Sequence, residues 1–347
     1  MRVALACTCF AGLDDYAARM KKFAALAMLG TAALAARRYL TMRDAMAAVR
    51  VDLRNPVLPF LPRTIRRRTL PLSRLQSRVR TPSGPGVTVT TRQVGDGAIR
   101  VLVTTPVDGQ APRPAVLWIH GGGYILGSPQ MEAFGTGRLA RDLGVVTVSP
   151  DYRLAPEHPF PAALDDCMAT LEWMRAQAEE LGIDPDRIAV MGASAGGGLA
   201  AAVAQRSHDE EIPLRAQVLV YPMIDDRAAL RDDHAGRGLF MWTPANNRFG
   251  WTSYLGREPR MSDAPQYAAP ARRTDLTGLP PAWVGVGDLD VFYDEDVDYA
   301  EKLRASGVAC TLVTVPGMYH GADVFAPKAQ SIQDFRRGAT DHLRTHL

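Results

Sequence analysis

The chain has 347 residues, 47% hydrophobic and 22% charged, with a mean hydropathy of −0.09, an ordinary globular composition. The net charge of +3 hides an asymmetry: residues 1–80 carry 16 Lys and Arg against 4 Asp and Glu, while the rest carries 24 against 33. A basic N-terminal part thus precedes a mildly acidic globular part, and no recognisable motif joins the basic residues into a nucleic-acid-binding surface, which argues against that partner. The four cysteines form no disulfide or zinc framework: Cys7-Thr8-Cys9 is too tight for the usual metal spacing, and Cys167 and Cys310 fall in apolar-periodic segments as small core residues. The length permits two domains, and one large α/β domain with an added cap fits equally well.

From Met20 the chain reads Lys21-Lys22, an apolar or small run from Phe23 to Ala36, then Arg37-Arg38. Three readings of this segment stand side by side. It has the order of a signal peptide, with Ala33-Leu34-Ala35 as the cleavage site. It also suits a helix lying on an anionic membrane surface, or a helix packed on a cap. It is too short to span a bilayer, which takes roughly 20 residues. The expected location is the cytoplasm or a membrane surface, with export left open by the signal-like stretch.

Residues 37–85 are punctuated by Arg and Pro, including Arg66-Arg67-Arg68 and Pro82-Ser83-Gly84-Pro85, and read as short cap helices followed by a linker. Val87–Gln93 and Ala98–Thr105 then alternate as a hairpin about Gly95-Asp96-Gly97. Apolar strands follow at Ala115–His120, Val145–Ser149, Ile188–Gly192, Gln217–Tyr221, Ala282–Gly287 and Thr311–Val315. Helical patterns fill Pro161–Leu181, Ala195–Arg206, Glu295–Ser306 and Ala329–Leu343. Continuous apolar strands alternating with helices predict a mostly parallel sheet flanked by helices. Residues 225–275 break the rhythm with charge, Pro and aromatics, and read as a cap insertion above the strand ends. The expected division is 1–36, 37–85 and a catalytic domain at 86–347.

Gly192-Ala193-Ser194-Ala195-Gly196 comes straight after the apolar run from Ile188 and straight before an alanine-rich helix. G-x-S-x-G in a strand–turn–helix context holds a serine Oγ clear of the sheet at a helix N-terminus, where glycines permit the sharp turn. Serine needs a base within hydrogen-bond reach, and the base needs an orienting acid. Of the seven histidines, His320 alone follows Ser194 on a loop after a strand; His342 and His346 lie in the terminal helix. The acid belongs on the loop after Ala282–Gly287, where position alone leaves both Asp288 and Asp290 open. His120-Gly121-Gly122-Gly123 follows another strand and can aim backbone N–H groups at an oxyanion, joined by that of Ala195. The G-x-x-x-x-G-K-[ST] phosphate loop is absent.

These motifs resemble the hormone-sensitive lipase family of esterases, also called bacterial family IV, within the α/β hydrolases. The likeness runs from about residue 85 to 340. It rests on His120-Gly121-Gly122-Gly123-Tyr124, on Asp151-Tyr152-Arg153-Leu154-Ala155-Pro156-Glu157 with the following His158-Pro159-Phe160-Pro161-Ala162, on Leu279-Pro280-Pro281, and on Gly317-Met318-Tyr319-His320-Gly321. The resemblance implies an α/β-hydrolase fold and the triad Ser194, Asp290 and His320, because the family's D-P-L-x-D-E stretch lies on Asp290–Glu295. It places the oxyanion donors at Gly122, Gly123 and Ala195, makes His120 a structural residue, and implies buried ion-pair roles for Arg153 and Glu157.

It further implies a carboxylesterase for short- to medium-chain acyl esters that needs no metal or cofactor and commonly dimerises. A lactonase or natural-product deacetylase, an interfacial lipase and a non-enzymatic pseudohydrolase are the alternatives. Tyr124 and Ile125, after the oxyanion loop, are expected beside the substrate. Phe240 and Trp242, with Trp251 and Tyr254, are candidates for pocket walls or cap core. Two departures stand out. Ala193 replaces the family's usual Asp, Glu or Thr, and Val291-Phe292 replaces Pro-Leu, which is expected to reshape the acyl pocket.

Overall fold

A computed structural model describes residues 36–347, apart from positions 38, 41, 62, 63, 78, 80, 96 and 97. The signal-like stretch, Cys7, Cys9 and part of the 95–97 turn therefore lie outside the described residues. Two compact units are distinguished. In the smaller, the described part holds a helix α1 (Arg43–Ala48) and a 3-10 turn at Leu58–Phe60. The larger comprises residues 49–55 and everything from 62 onward.

The larger unit is built on one eight-stranded sheet: β1 (Val87–Val94), β2 (Ile99–Pro106), β3 (Arg113–Ile119), β4 (Val146–Pro150), β5 (Ile183–Ala193), β6 (Gln217–Val220), β7 (Ala282–Gly287) and β8 (Cys310–Val315). The spatial order is β1-β2-β4-β3-β5-β6-β7-β8. The first two pairings are antiparallel and the remaining five are parallel. This is the expected α/β-hydrolase fold. The central strands are continuous apolar runs because both faces are covered.

Eight further helices of this unit are α2 (Leu70–Gln76), α3 (Ala133–Leu143), α4 (Ala162–Ala176), α5 (Ala178–Leu181), α6 (Ala195–Asp209), α7 (Pro244–Leu255), α8 (Tyr293–Ala305) and α9 (Ala322–Phe325); α10 (Gln330–His346) closes the chain. Helices α4, α6 and α8 cover one face of the sheet, and α3 and α10 the other. Among the described residues no helix is long and apolar enough to cross a membrane.

Register places the chemistry. Ile119 pairs with Gly192, so the loop after β3 and the turn after β5 emerge side by side. Gly287 pairs with Val315, so the loops after β7 and β8 do the same. The chain between β6 and β7 covers the stretch 225–275 and contains α7.

The insertion is tied down by charge as well as packing. Glu295, buried at the start of α8, accepts the backbone N–H groups of Ile224 and Asp225. Fully buried Asp226 accepts from Arg272 Nε at 2.6 Å and from its terminal nitrogen at 3.1 Å. Burial raises the Asp226 carboxyl above the usual range against the pull of Arg272. Removing one partner of such a pair strands a buried charge, at about 3–5 kcal/mol. Arg272→Met is expected to cost that much in urea denaturation, with part recovered in the double variant Asp226→Asn, Arg272→Met. A loss below about 1 kcal/mol would show that the pair does not anchor the insertion.

Candidate active site

Ser194 sits at the junction of β5 and α6 with φ 57° and ψ −123°, a conformation costly for a residue with a Cβ. The surrounding backbone imposes it. A Cβ on Gly192 would lie 2.1 Å from Gly196 O, and one on Gly196 would lie 2.1 Å from Ile119 O. Only glycine at both positions lets strand, turn and neighbouring loop approach so closely. The Ser194 N–H is spent on Val220 O at 2.9 Å, and its carbonyl accepts from Met223 and Gly198. The side chain is left facing His320.

His320 Nε2 lies 3.0 Å from Ser194 Oγ, and its Nδ1 lies 2.7 Å from Asp290 Oδ2. All three residues are buried, Asp290 completely. Asp290 Oδ1 accepts from Phe292 N–H at 3.1 Å, which fixes the carboxyl plane. The geometry separates the two candidate acids. Asp288 does not reach His320; its Oδ1 accepts the Gly317 N–H at 2.7 Å and holds the loop that carries the histidine. The same loop is held from residues 49–55, where Arg50 N–H donates to Gly317 O and Tyr319 Oη donates to Leu53 O.

The loop that carries Gly122 and Gly123 passes beside the serine, where a Cβ on Gly121 would lie 3.4 Å from Ser194 Cβ, and Ala195 follows the serine at the start of α6. Gly123 has φ 61°, and a Cβ there would strike the Trp242 ring at 2.1 Å. Trp242 therefore backs the oxyanion loop, with its ring centre 6.4 Å from that of His320. Phe240 packs on Tyr319 one residue from the histidine. His120 is buried and stacked on Tyr152 at 4.1 Å, with Nδ1 2.9 Å from Gly121 O. Burial holds its pKa down to about 4, so it stays neutral and supports the loop.

Several expectations need correction. Tyr124 and Ile125, expected beside the substrate, are both buried. Tyr124 is stacked on Tyr254 at 3.8 Å with its hydroxyl donating to Met223 O, and Ile125 is fully buried in the core. A side chain with φ 64° at Tyr124 turns back into the protein, which motif position alone does not reveal. Trp251 and Tyr254 belong to the same buried aromatic cluster.

Arg153 and Glu157 do form ion pairs, with Asp166 and Arg74, but their side chains are about half exposed, at 47% and 54%. Val291 and Phe292 are sealed in the core rather than lining a pocket; Phe292 packs edge-on to His320 at 5.2 Å. Sequence reasoning missed Tyr221, whose ring packs edge-on to His320 at 4.7 Å and whose hydroxyl donates to Asp323 at 2.7 Å. Its position at the end of a strand in the sheet centre was the available signal.

A family model described as the α/β-hydrolase fold matches residues 116–324. The chain is 39% identical over 257 residues to a carboxylesterase, NlhH, of Mycobacterium tuberculosis, covering 70% of this chain and 77% of that protein. It is 34% identical over 247 residues to an ethyl acetate hydrolase of Pseudomonas putida, covering 67% and 74%. Among solved structures, a bacterial heroin esterase superposes with a TM-score of 0.80 at 34% identity, covering 87% of this chain and 99% of that one. The chain belongs to the α/β-hydrolase family, in its hormone-sensitive lipase group of carboxylesterases.

His120 supplies a test of the loop. Its folded pKa lies below the ordinary 6.5, so the unfolded chain takes up a proton first as pH falls. Its contribution to stability is therefore present above pH 6.5 and is lost between there and about pH 4. Denaturant titrations of wild type and His120→Asn are expected to show a difference that shifts against the wild type by up to about 3 kcal/mol on going from pH 7 to pH 4. A pH-independent difference would refute the buried neutral histidine.

Proposed function

We propose that the protein hydrolyses small carboxylic esters of short to medium acyl chain, with Ser194 as nucleophile, His320 as general base and Asp290 as the orienting acid. The observation that carries this reading is the pair of distances through one imidazole, 3.0 Å to Ser194 Oγ and 2.7 Å to Asp290 Oδ2. With Nδ1–H donated to Asp290 Oδ2, Nε2 presents its lone pair to the serine hydroxyl.

Ser194 Oγ bonds to the ester carbonyl carbon as its proton passes to His320 Nε2. The carbonyl oxygen takes the negative charge and receives hydrogen bonds from the N–H groups of Gly122, Gly123 and Ala195. The C–O bond to the alcohol then breaks, and His320 gives the proton to the departing oxygen. Water, deprotonated by His320, attacks the acyl-serine, and collapse returns the proton to Ser194 and releases the acid. Asp290 stabilises the imidazolium that forms in both halves. Its complete burial keeps that interaction out of solvent screening.

A p-nitrophenyl ester series from acetate to palmitate tests the reading. Wild type is expected to favour short to medium chains, and Ser194→Ala to lose at least about 10⁴-fold in kcat, the scale on which triad members act. Asp290→Asn is expected to retain the fold but lose kcat by about 10³–10⁴-fold, because the imidazole tautomer is no longer fixed. Undiminished hydrolysis by Ser194→Ala would overturn the assignment of the nucleophile.

A further inference from the structure

A cavity of about 440 Å³ lies between α3 and α10, on the face of the sheet opposite α6. That volume falls within the range of small-molecule sites. Its walls include Trp118, Leu139, Met191 and Phe335, and its inner end is formed by Ala193 and Tyr221. Ala193 is bonded directly to Ser194, and Tyr221 packs on His320, so the lining reaches residues adjoining both, although neither Ser194 nor His320 lines the cavity itself. Its outer mouth carries Met131, Phe134 and Val324, three apolar side chains between 43% and 70% exposed. Exposed apolar side chains gathered around an apolar cavity mark a ligand surface rather than ordinary packing.

Three polar groups at its edge, Tyr221, Asp323 and Arg336, are engaged with one another, while the Trp118 indole N–H is buried without a partner among the described residues. Asp323 accepts from Tyr221 Oη at 2.7 Å and from Arg336 at 3.3 Å. Burial, with the charge of Asp323, pushes Glu132 up to about 7, which favours its uncharged form. What remains facing the space is largely hydrocarbon. A second cavity, of about 450 Å³ beside Asp209 and Arg273, differs in kind, since those charges are paired across its wall and most of its other lining residues are polar or small.

We propose that the cavity between α3 and α10 holds the uncharged aliphatic acyl chain of the ester, and that Ala193 keeps its inner end open. The proposal rests on the esterase reading above. A carboxylate or longer side chain at position 193 projects from the same strand face as Met191 and shortens the cavity at the end nearest the serine. An alanine there leaves room for the first carbons of a chain bonded to the reacting carbonyl. Apolar contact along the chain then adds to transition-state binding by about 0.8 kcal/mol per buried methylene.

Gly135 on α3 offers a filling substitution away from the chemistry. It lines the cavity, and a Cβ there meets only the Trp118 ring, at 3.9 Å, an ordinary contact. The ratio of kcat/KM for p-nitrophenyl octanoate to that for the acetate is expected to fall at least about tenfold in Gly135→Leu, which corresponds to about 1.4 kcal/mol. Ala339→Leu fills the same space from α10 and is expected to lower the same ratio. Calorimetric titration of Ser194→Ala with octanoic acid reads occupancy without turnover, and the added Gly135→Leu change is expected to abolish the binding. Unchanged ratios in both folded variants, or no octanoic acid binding, would overturn the cavity assignment while leaving esterase activity intact. Absence of hydrolysis of every ester, with octanoic acid still bound and displaced by Gly135→Leu, would instead sink the esterase reading and leave the aliphatic-chain site standing.

Discussion

Everything at the site depends on how closely three backbones pass at the end of β5. Gly192, Gly196 and the carbonyl of Ile119 meet at distances that leave no space for a Cβ. That crowding forces Ser194 into a strained conformation, and neighbouring hydrogen bonds to Val220, Met223 and Gly198 hold it there. Strain of this kind costs on the order of 1–3 kcal/mol and persists only where its surroundings over-determine it. Here the surroundings are the central strands of the sheet, buried on both faces, whose register sets Ile119 opposite Gly192. The same contact delivers two functions at once. It turns the serine hydroxyl away from the sheet, and it brings the loop after β3 alongside.

The histidine arrives by a different logic. Its loop is long, and glycine alone cannot hold it. Asp288 pins Gly317 from β7, Arg50 pins the same residue from the N-terminal side, and the Phe292 and Tyr221 rings bracket the imidazole. Two neighbouring aspartates therefore divide the labour. Asp290 faces the imidazole, and Asp288 holds the loop on which the imidazole rides. An apolar bracket around a charged-when-active ring excludes water and strengthens its pairing with Asp290.

Much of this was legible in the chain before any coordinates. Strand and helix positions followed from continuous apolar runs alternating with helical periodicity, because a doubly covered parallel sheet leaves that trace. The serine, the histidine and the glycines followed from turn chemistry, which short motifs encode directly. Position alone could not choose between Asp288 and Asp290, since both sit on one tight turn and the choice depends on which way each side chain points. The burial of Tyr124 and Ile125 is hidden for the same reason: closeness to a glycine loop in sequence says nothing about a backbone with positive φ that turns the ring inward. The half-exposed state of Arg153 and Glu157 was also illegible, because a motif fixes that a pair forms, not how much water reaches it.

The two departures from the family pattern act on opposite sides of the imidazole. Val291 and Phe292 fill space behind it, so they bear on how firmly His320 is held. Ala193 empties space on the other face of the sheet, where Met191 and Trp118 already present hydrocarbon. A side chain capable of hydrogen bonding at 193 would find Tyr221, Asp323 and Arg336 satisfying one another, with the buried Trp118 Nε1 left as a donor on that wall. An unpaired polar group there would cost more than it returned. Alanine at that position is thus consistent with a cavity whose surface is largely apolar.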